Sequence, residues 1–232
     1  MMAVYDLEEQ EQLDELKTWW KQYGNLATSA MLVVAVAASG WQGWNWWQRN
    51  QSAQASVVYA SLQQAATQRD GKRTRELAGE LIDKYSGSSY AGMAALVSAR
   101  VQIDSGDVKT AQLQLNWAAD HANDPGLREL ARLRLAVVLI DEKAFDEAAK
   151  QLAIEPTGPF LARHSEIKGD LYAAQGKLTE ARAAYEVALN KLESGTRTGA
   201  KDELADNASK GRSGYHDVLR TKSDLLGLGA AK

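Results

Sequence analysis

The sequence predicts an all-α protein: one N-terminal transmembrane helix followed by a tetratricopeptide-like α-solenoid. Three observations carry this expectation. No charged residue occurs between Lys21 and Arg49, and tryptophans edge that stretch on both sides. Beyond it, apolar residues recur at helical spacing with no sustained alternating run. Within the helical part, a pattern of small and aromatic residues returns at nearly constant intervals.

Composition narrows the function classes. The 232-residue chain carries a net charge of −3, which gives no electrostatic reason to expect a nucleic-acid partner. It contains no cysteine, so disulfides, thiolate nucleophiles and cysteine zinc sites are excluded. Charge and aromatic residues are segregated. Residues 1–21 hold six carboxylates (Asp6, Glu8, Glu9, Glu11, Asp14 and Glu15) against Lys17 and Lys21. Six of the seven tryptophans lie between Trp19 and Trp47.

Residues 1–21 are expected to form an acidic cytoplasmic tail and residues 22–48 the transmembrane helix. As a helix, Tyr23–Trp44 would measure roughly 33 Å, near the thickness of a bilayer core. Trp19, Trp20 and Tyr23 at one end, with Trp41, Trp44, Trp46 and Trp47 at the other, match the interfacial preference of indole rings. The small residues at Ala35-Val36-Ala37 resemble a signal-peptide cleavage site, but the preceding tail is acidic and the uncharged run continues beyond it. Two lysines before the span against Arg49 after it favour a cytoplasmic N terminus and a translocated C-terminal domain. Ala35, Ser39 and Gly43 recur every four residues and are candidates for close helix packing in the membrane.

Residues 49–194 read as the repeat domain. "RDGK" (Arg69–Lys72) and "SGSS" (Ser86–Ser89) separate helical stripes. Asp124 and Pro125 read as an N-cap and first-turn proline, and Pro159 opens a later helix in the same way. The clearest repeat is "KGDLYAAQGKLTEARAAYEVALNKL", with Gly169, Tyr172, Gly176, Ala181, Tyr185 and Ala188 at packing positions. Small residues let paired helices approach, and the aromatics fill the space beside them. The frame fits twice more, at Ala99, Gly106, Ala111, Leu115 and Ala118, and at Ala136, Lys143, Ala148 and Leu152, where lysine replaces the turn glycine. The helix pair from Gln51 to Tyr85 is expected to cap the stack. A Gly169→Trp change is expected to unfold the last repeat, seen as a lowered melting temperature. Residues 195–214 read as a flexible linker and 215–232 as a C-terminal capping helix.

This order of acidic tail, Trp-bounded span and helical repeats, together with "YSGSSYAGMAAL" (Tyr85–Leu96), resembles the ancillary SecYEG translocon subunits, the YfgM-like family of Gram-negative bacteria. The resemblance implies a single-pass inner-membrane protein with periplasmic repeats. It also implies association with the SecYEG translocon and the periplasmic chaperone PpiD, with exported proteins as clients.

No catalytic, cofactor or metal site is expected. His121, His164 and His216 are scattered, and no hydrolase, phosphate-loop or paired-histidine spacing accompanies them. "DHAND" (Asp120–Asp124) places His121 between carboxylates, but at the end of a repeat helix, where a capped turn is the ordinary outcome. The repeat frame instead turns Arg100, Asp104, Arg134, Val137, Asp141, Glu166 and Asp170 towards the concave face, the usual contact surface of a solenoid. A partner segment is therefore expected there, in a membrane-tethered module of protein export. The other functions weighed are a cell-envelope or cell-division scaffold and an anchored regulator acting through residues 1–21.

Overall fold

The computed structural model describes residues 5–156, 158–197 and 205–229. Among these it contains α1 (Tyr5–Thr67), α2 (Gly71–Tyr85), α3 (Ser89–Asp104), α4 (Val108–His121), α5 (Pro125–Asp141), α6 (Phe145–Leu152), α7 (Leu161–Ala174), α8 (Leu178–Arg197) and α9 (Ala205–Gly229). A short 3-10 turn, Gly158–Phe160, leads into α7 and contains Pro159. The chain divides into two units, Met1–Ala53 and Gln54–Lys232.

In the first unit, α1 carries its aliphatic side chains outward. Met31 is 73% exposed, and Leu32, Val33, Val34 and Val36 are similarly open. The hydroxyls of Thr28 and Ser39 donate to the carbonyls of Gly24 and Ala35, each at 2.8 Å, so neither needs water. Yet among the described residues no helix is long and apolar enough to cross a membrane. The span expected over 22–48 is therefore not shown, and its residues Leu26, Ala27 and Ala30 lie outside the described side chains. Much of the acidic tail expected over 1–21 lies outside the described side chains.

The second unit is a succession of helical hairpins. The turns joining α3 to α4, α5 to α6 and α7 to α8 share one conformation. Gly106, Lys143 and Gly176 have φ of 84°, 61° and 76°. Each donates its N–H at 3.0 Å to the carbonyl three residues earlier. The next residue reaches five back, as when Asp107 N–H bonds Gln102 O at 2.8 Å. This is the bonding of a left-handed helix stop, which satisfies carbonyls that a helix end would otherwise orphan. Lys143 occupies it despite its Cβ.

Arg69 has the same turn, with φ 57° and the same two bonds from Arg69 and Asp70. The end of α1 and α2 therefore form a fourth hairpin of the series, at its start. Leu62, Thr74, Ala78 and Leu81 stand where the repeats elsewhere place small or aliphatic residues, and all four are buried.

Packing follows from the repeat frame. Ala55, Leu62, Leu77, Leu81 and Ala94 form one cluster. Ala95, Ala99, Ala111, Ala118, Leu115 and Leu135 form the next. Leu133, Ala136, Ala148, Leu152, Ile167 and Leu171 form a third. The last joins Ala181, Tyr185, Ala188 and Leu219. Alanines and Gly169 mark where helix axes cross closely. Asp70, Asp107 and Asp124 cap α2, α4 and α5 by accepting from backbone N–H groups three residues on, at 2.9, 3.2 and 3.0 Å. Pro125 at the first turn of α5 lacks the N–H that would be left over there.

The end of the chain is more helical than its composition suggests. α8 runs to Arg197 and α9 starts at Ala205, where the sequence reading places a linker over 195–214. Residues 198–204 and 230–232 lie outside the described residues. α9 docks on α8, burying Leu219 completely and Ser223 nearly so.

Candidate partner-binding surface

α3, α5 and α7 are the first helices of three successive hairpins, and their facing sides enclose a groove of about 570 Å³. Leu96, Ile103, Leu130, Leu133, Val137 and Ile167 give it an aliphatic floor. Arg100, Asp104, Arg134, Asp141 and Arg163 contribute the polar part of the lining. The Arg100 Nε donates to both Asp104 carboxylate oxygens, at 3.0 and 3.1 Å, one helical turn apart. Burial, and then the neighbouring Arg100 charge, pull the Arg134 guanidinium below its ordinary value. It stays cationic even so.

Five of the seven residues expected on the inner face, Arg100, Asp104, Arg134, Val137 and Asp141, therefore line one groove. Glu166 and Asp170 do not. They form a second cluster on α7, covered by α9. The Glu166 side chain is 2% exposed. It accepts from Arg163 Nη1, from Tyr215 Oη at 2.7 Å and from Lys222 Nζ at 2.9 Å. Asp170 accepts from Tyr185 Oη at 2.8 Å and from Lys222 Nζ at 2.7 and 3.0 Å. Two carboxylates thus meet two cations, so the charges of the cluster balance around the buried Glu166.

The electrostatics reflect that balance. Burial pushes the Glu166 carboxyl up, but Tyr215, Lys222 and Arg163 together hold it below its ordinary value. Burial alone would lower the Lys222 ammonium, yet Asp170 and Glu166 raise it. Burial, then the carboxylates they donate to, push the Tyr185 and Tyr215 phenols far up.

Arg163 and Ile103 in the groove, and Tyr185, Tyr215 and Lys222 in the cluster, are not among the sequence-derived site residues. Ile103 and Arg163 had a local signal, each lying three residues from a predicted one, Arg100 and Glu166. The pairing of Glu166 with Lys222 had none, because 56 positions separate them. Ala35, Ser39 and Gly43 lie four apart on α1, and a Cβ at Gly43 would meet nothing within 4 Å.

The histidines do not converge. His121 stacks on Trp117 with ring centroids 5.7 Å apart, and its Nδ1 lies 3.1 Å from Trp117 O. His164 is buried with Nε2 2.9 Å from Leu152 O, tying α7 to the end of α6. Among the described residues no three His, Asp or Glu side chains are arranged to hold a metal ion. What the surface offers is a shape, an aliphatic floor and a mixed-charge lining.

Residues 17–207 match a family described as a tetratricopeptide repeat-like domain. An ancillary SecYEG translocon subunit from Neisseria gonorrhoeae is 31% identical over 193 residues, covering 82% of this chain and 91% of that protein. The protein of the same name from Haemophilus influenzae is 29% identical over 185 residues, covering 80% and 90%. That from Escherichia coli is 25% identical over 188 residues, covering 81% and 90%.

Proposed function

Since the chain belongs to the family of ancillary SecYEG translocon subunits with a tetratricopeptide repeat-like domain, we infer that it works beside the translocon as a non-catalytic interaction module. The groove of α3, α5 and α7 carries this reading. Three first helices in a row present one recess long enough for a peptide segment, with aliphatic side chains for its apolar residues and charges of both signs to set its direction. Arg134 and Asp141 lie seven residues apart on α5, so a bound segment meets opposite charges two turns apart.

The segment over 22–48 holds the module at the inner membrane, with the N terminus cytoplasmic and the hairpins periplasmic. The uncovered aliphatic row Met31–Val34 and the exposed indoles Trp41, Trp44 and Trp46 support that placement. Ala35, Ser39 and Gly43 provide the face for packing against another membrane helix. Tethering raises the local concentration of the groove near emerging chains, which favours hand-over to a periplasmic chaperone such as PpiD.

Site-specific photocrosslinking tests this function. A probe replacing Ser39 should trap translocon subunits, and one replacing Arg134 should trap a periplasmic chaperone or an exported chain. Adducts exclusively with envelope-assembly proteins at both positions would sink the reading in favour of a scaffold.

A further inference from the structure

The carboxylate pair on α7 continues the row of inner-face residues, yet the chain's own last helix sits on it. α9 grips through one stripe: Tyr215, Leu219, Lys222 and Leu226, at intervals of four, three and four residues. Tyr215 and Lys222 bond Glu166, Lys222 also bonds Asp170, and Leu219 is fully buried between them. The Lys222 ammonium lies 5.7 Å from the centre of the Tyr185 ring, an added attraction for a cation. The site therefore displays the ligand chemistry that it accepts: a hydroxyl, an aliphatic side chain and an ammonium on one helical face.

The occupant is modestly held. Val218 and Leu225 on α9 are 50% and 62% exposed, so much of its apolar surface stays uncovered. Gly211, Gly214, Gly227 and Gly229 weaken it as a helix in its own right. The site also adjoins the open groove, because Arg163 both lines that groove and bonds Glu166. A guest leaving the groove along α7 reaches Glu166 next.

We propose that α9 is a built-in competitor, and that the Glu166–Asp170 pair accepts in its place a basic amphipathic helix of a partner protein, with a hydroxyl, a leucine and a lysine at positions 0, 4 and 7. Charge complementarity selects this guest, since both carboxylates lose the Lys222 ammonium when α9 leaves and Arg163 remains beside Glu166 alone. A displaced α9 exposes Leu219 and Tyr215, so the guest must bring equivalent apolar area. The outcome is an exchange of like for like.

The test uses the full-length chain in detergent micelles and a fluorescent synthetic peptide of residues 212–229, read by anisotropy. Tyr215→Phe with Lys222→Met in the chain should loosen α9 and strengthen peptide binding by roughly tenfold or more, as the vacant fraction rises. Adding Asp170→Asn should return binding to the wild-type level. A gain below roughly twofold, or a gain that survives Asp170→Asn, would overturn the proposal. Amide exchange in the wild-type chain gives a reading independent of those variants: saturating peptide should deprotect α9 while α7 and α8 stay protected. Unchanged protection of α9 would overturn it. Wild-type dimers made by swapping α9 between copies, detected by light scattering, would overturn it as well.

Discussion

At Gly169 a methyl group has nowhere to go: a Cβ there would sit 2.5 Å from Cε1 of Tyr185. The tyrosine cannot step aside, because its hydroxyl is held by Asp170 and its ring is in the core. Gly169→Ala should cost about 1–3 kcal/mol by overpacking, measurable as a lower melting temperature. Gly79 is the control. A Cβ there meets nothing within 4 Å in the middle of α2, so Gly79→Ala should stabilise by about 0.5–1 kcal/mol. Lys143 inverts the logic: at φ 61° its side chain is strained, and Lys143→Gly should raise stability by about 1 kcal/mol. These positions also show what could be read in advance. The spacing of Gly169, Gly176 and Tyr185 identified a hairpin and its turn. At Arg69–Lys72 the turn and the helix pair around it were legible too, but Arg69 at the turn and Leu62 and Thr74 at the small positions concealed that the pair follows the repeat frame.

The helices themselves followed from local chemistry where caps and turns were strong. Asp124-Pro125 marked the start of α5, and Gly106 and Gly176 the hairpin turns. α9 is the element the sequence under-described. Its first half is polar and glycine-dotted, and its docking depends on Glu166 and Asp170, residues that no local pattern links to Lys222. The groove was half legible for a related reason: the repeat frame orients α3, α5 and α7, but not which part of α7 another helix covers. That docking should depend on pH in a defined way. Glu166 is held below its ordinary 4.5, so its contribution is present above that value and fades as pH falls through the depressed one. Lys222 is raised above its ordinary 10.5, so its contribution is complete below that value and fades as pH rises beyond the raised one. Spin labels at Arg182 and Val218 should report one sharp distance between about pH 5 and pH 10, broadening at both extremes. A distribution that stays equally sharp in acid until the hairpins themselves melt would contradict this account of the cluster.

For the protein as a whole, two dissimilar demands are met by separate stretches of chain. The N-terminal unit leaves its aliphatic row bare, and placing an arginine there tests the proposed anchor. Val34→Arg adds about 2.5–3.5 kcal/mol to the transfer of a helix centre into lipid. It should shift the protein from the carbonate-resistant pellet towards the supernatant, without changing the melting of the hairpins. The hairpin unit is built from clusters that each bridge neighbouring helices, so its stability is a sum of local terms.

Its seams are lined by Ala95, Ala99, Ala111, Ala118, Ala131 and Ala136. Alanine has no rotamers to exchange, so at these crossings the joints hold their spacing when a visitor arrives, and only the leucines between them, such as Leu115 and Leu135, have room to adjust. Such a scaffold behaves as a stiff template. The adaptation, and the entropy lost in making it, fall on the chain that comes to rest against it.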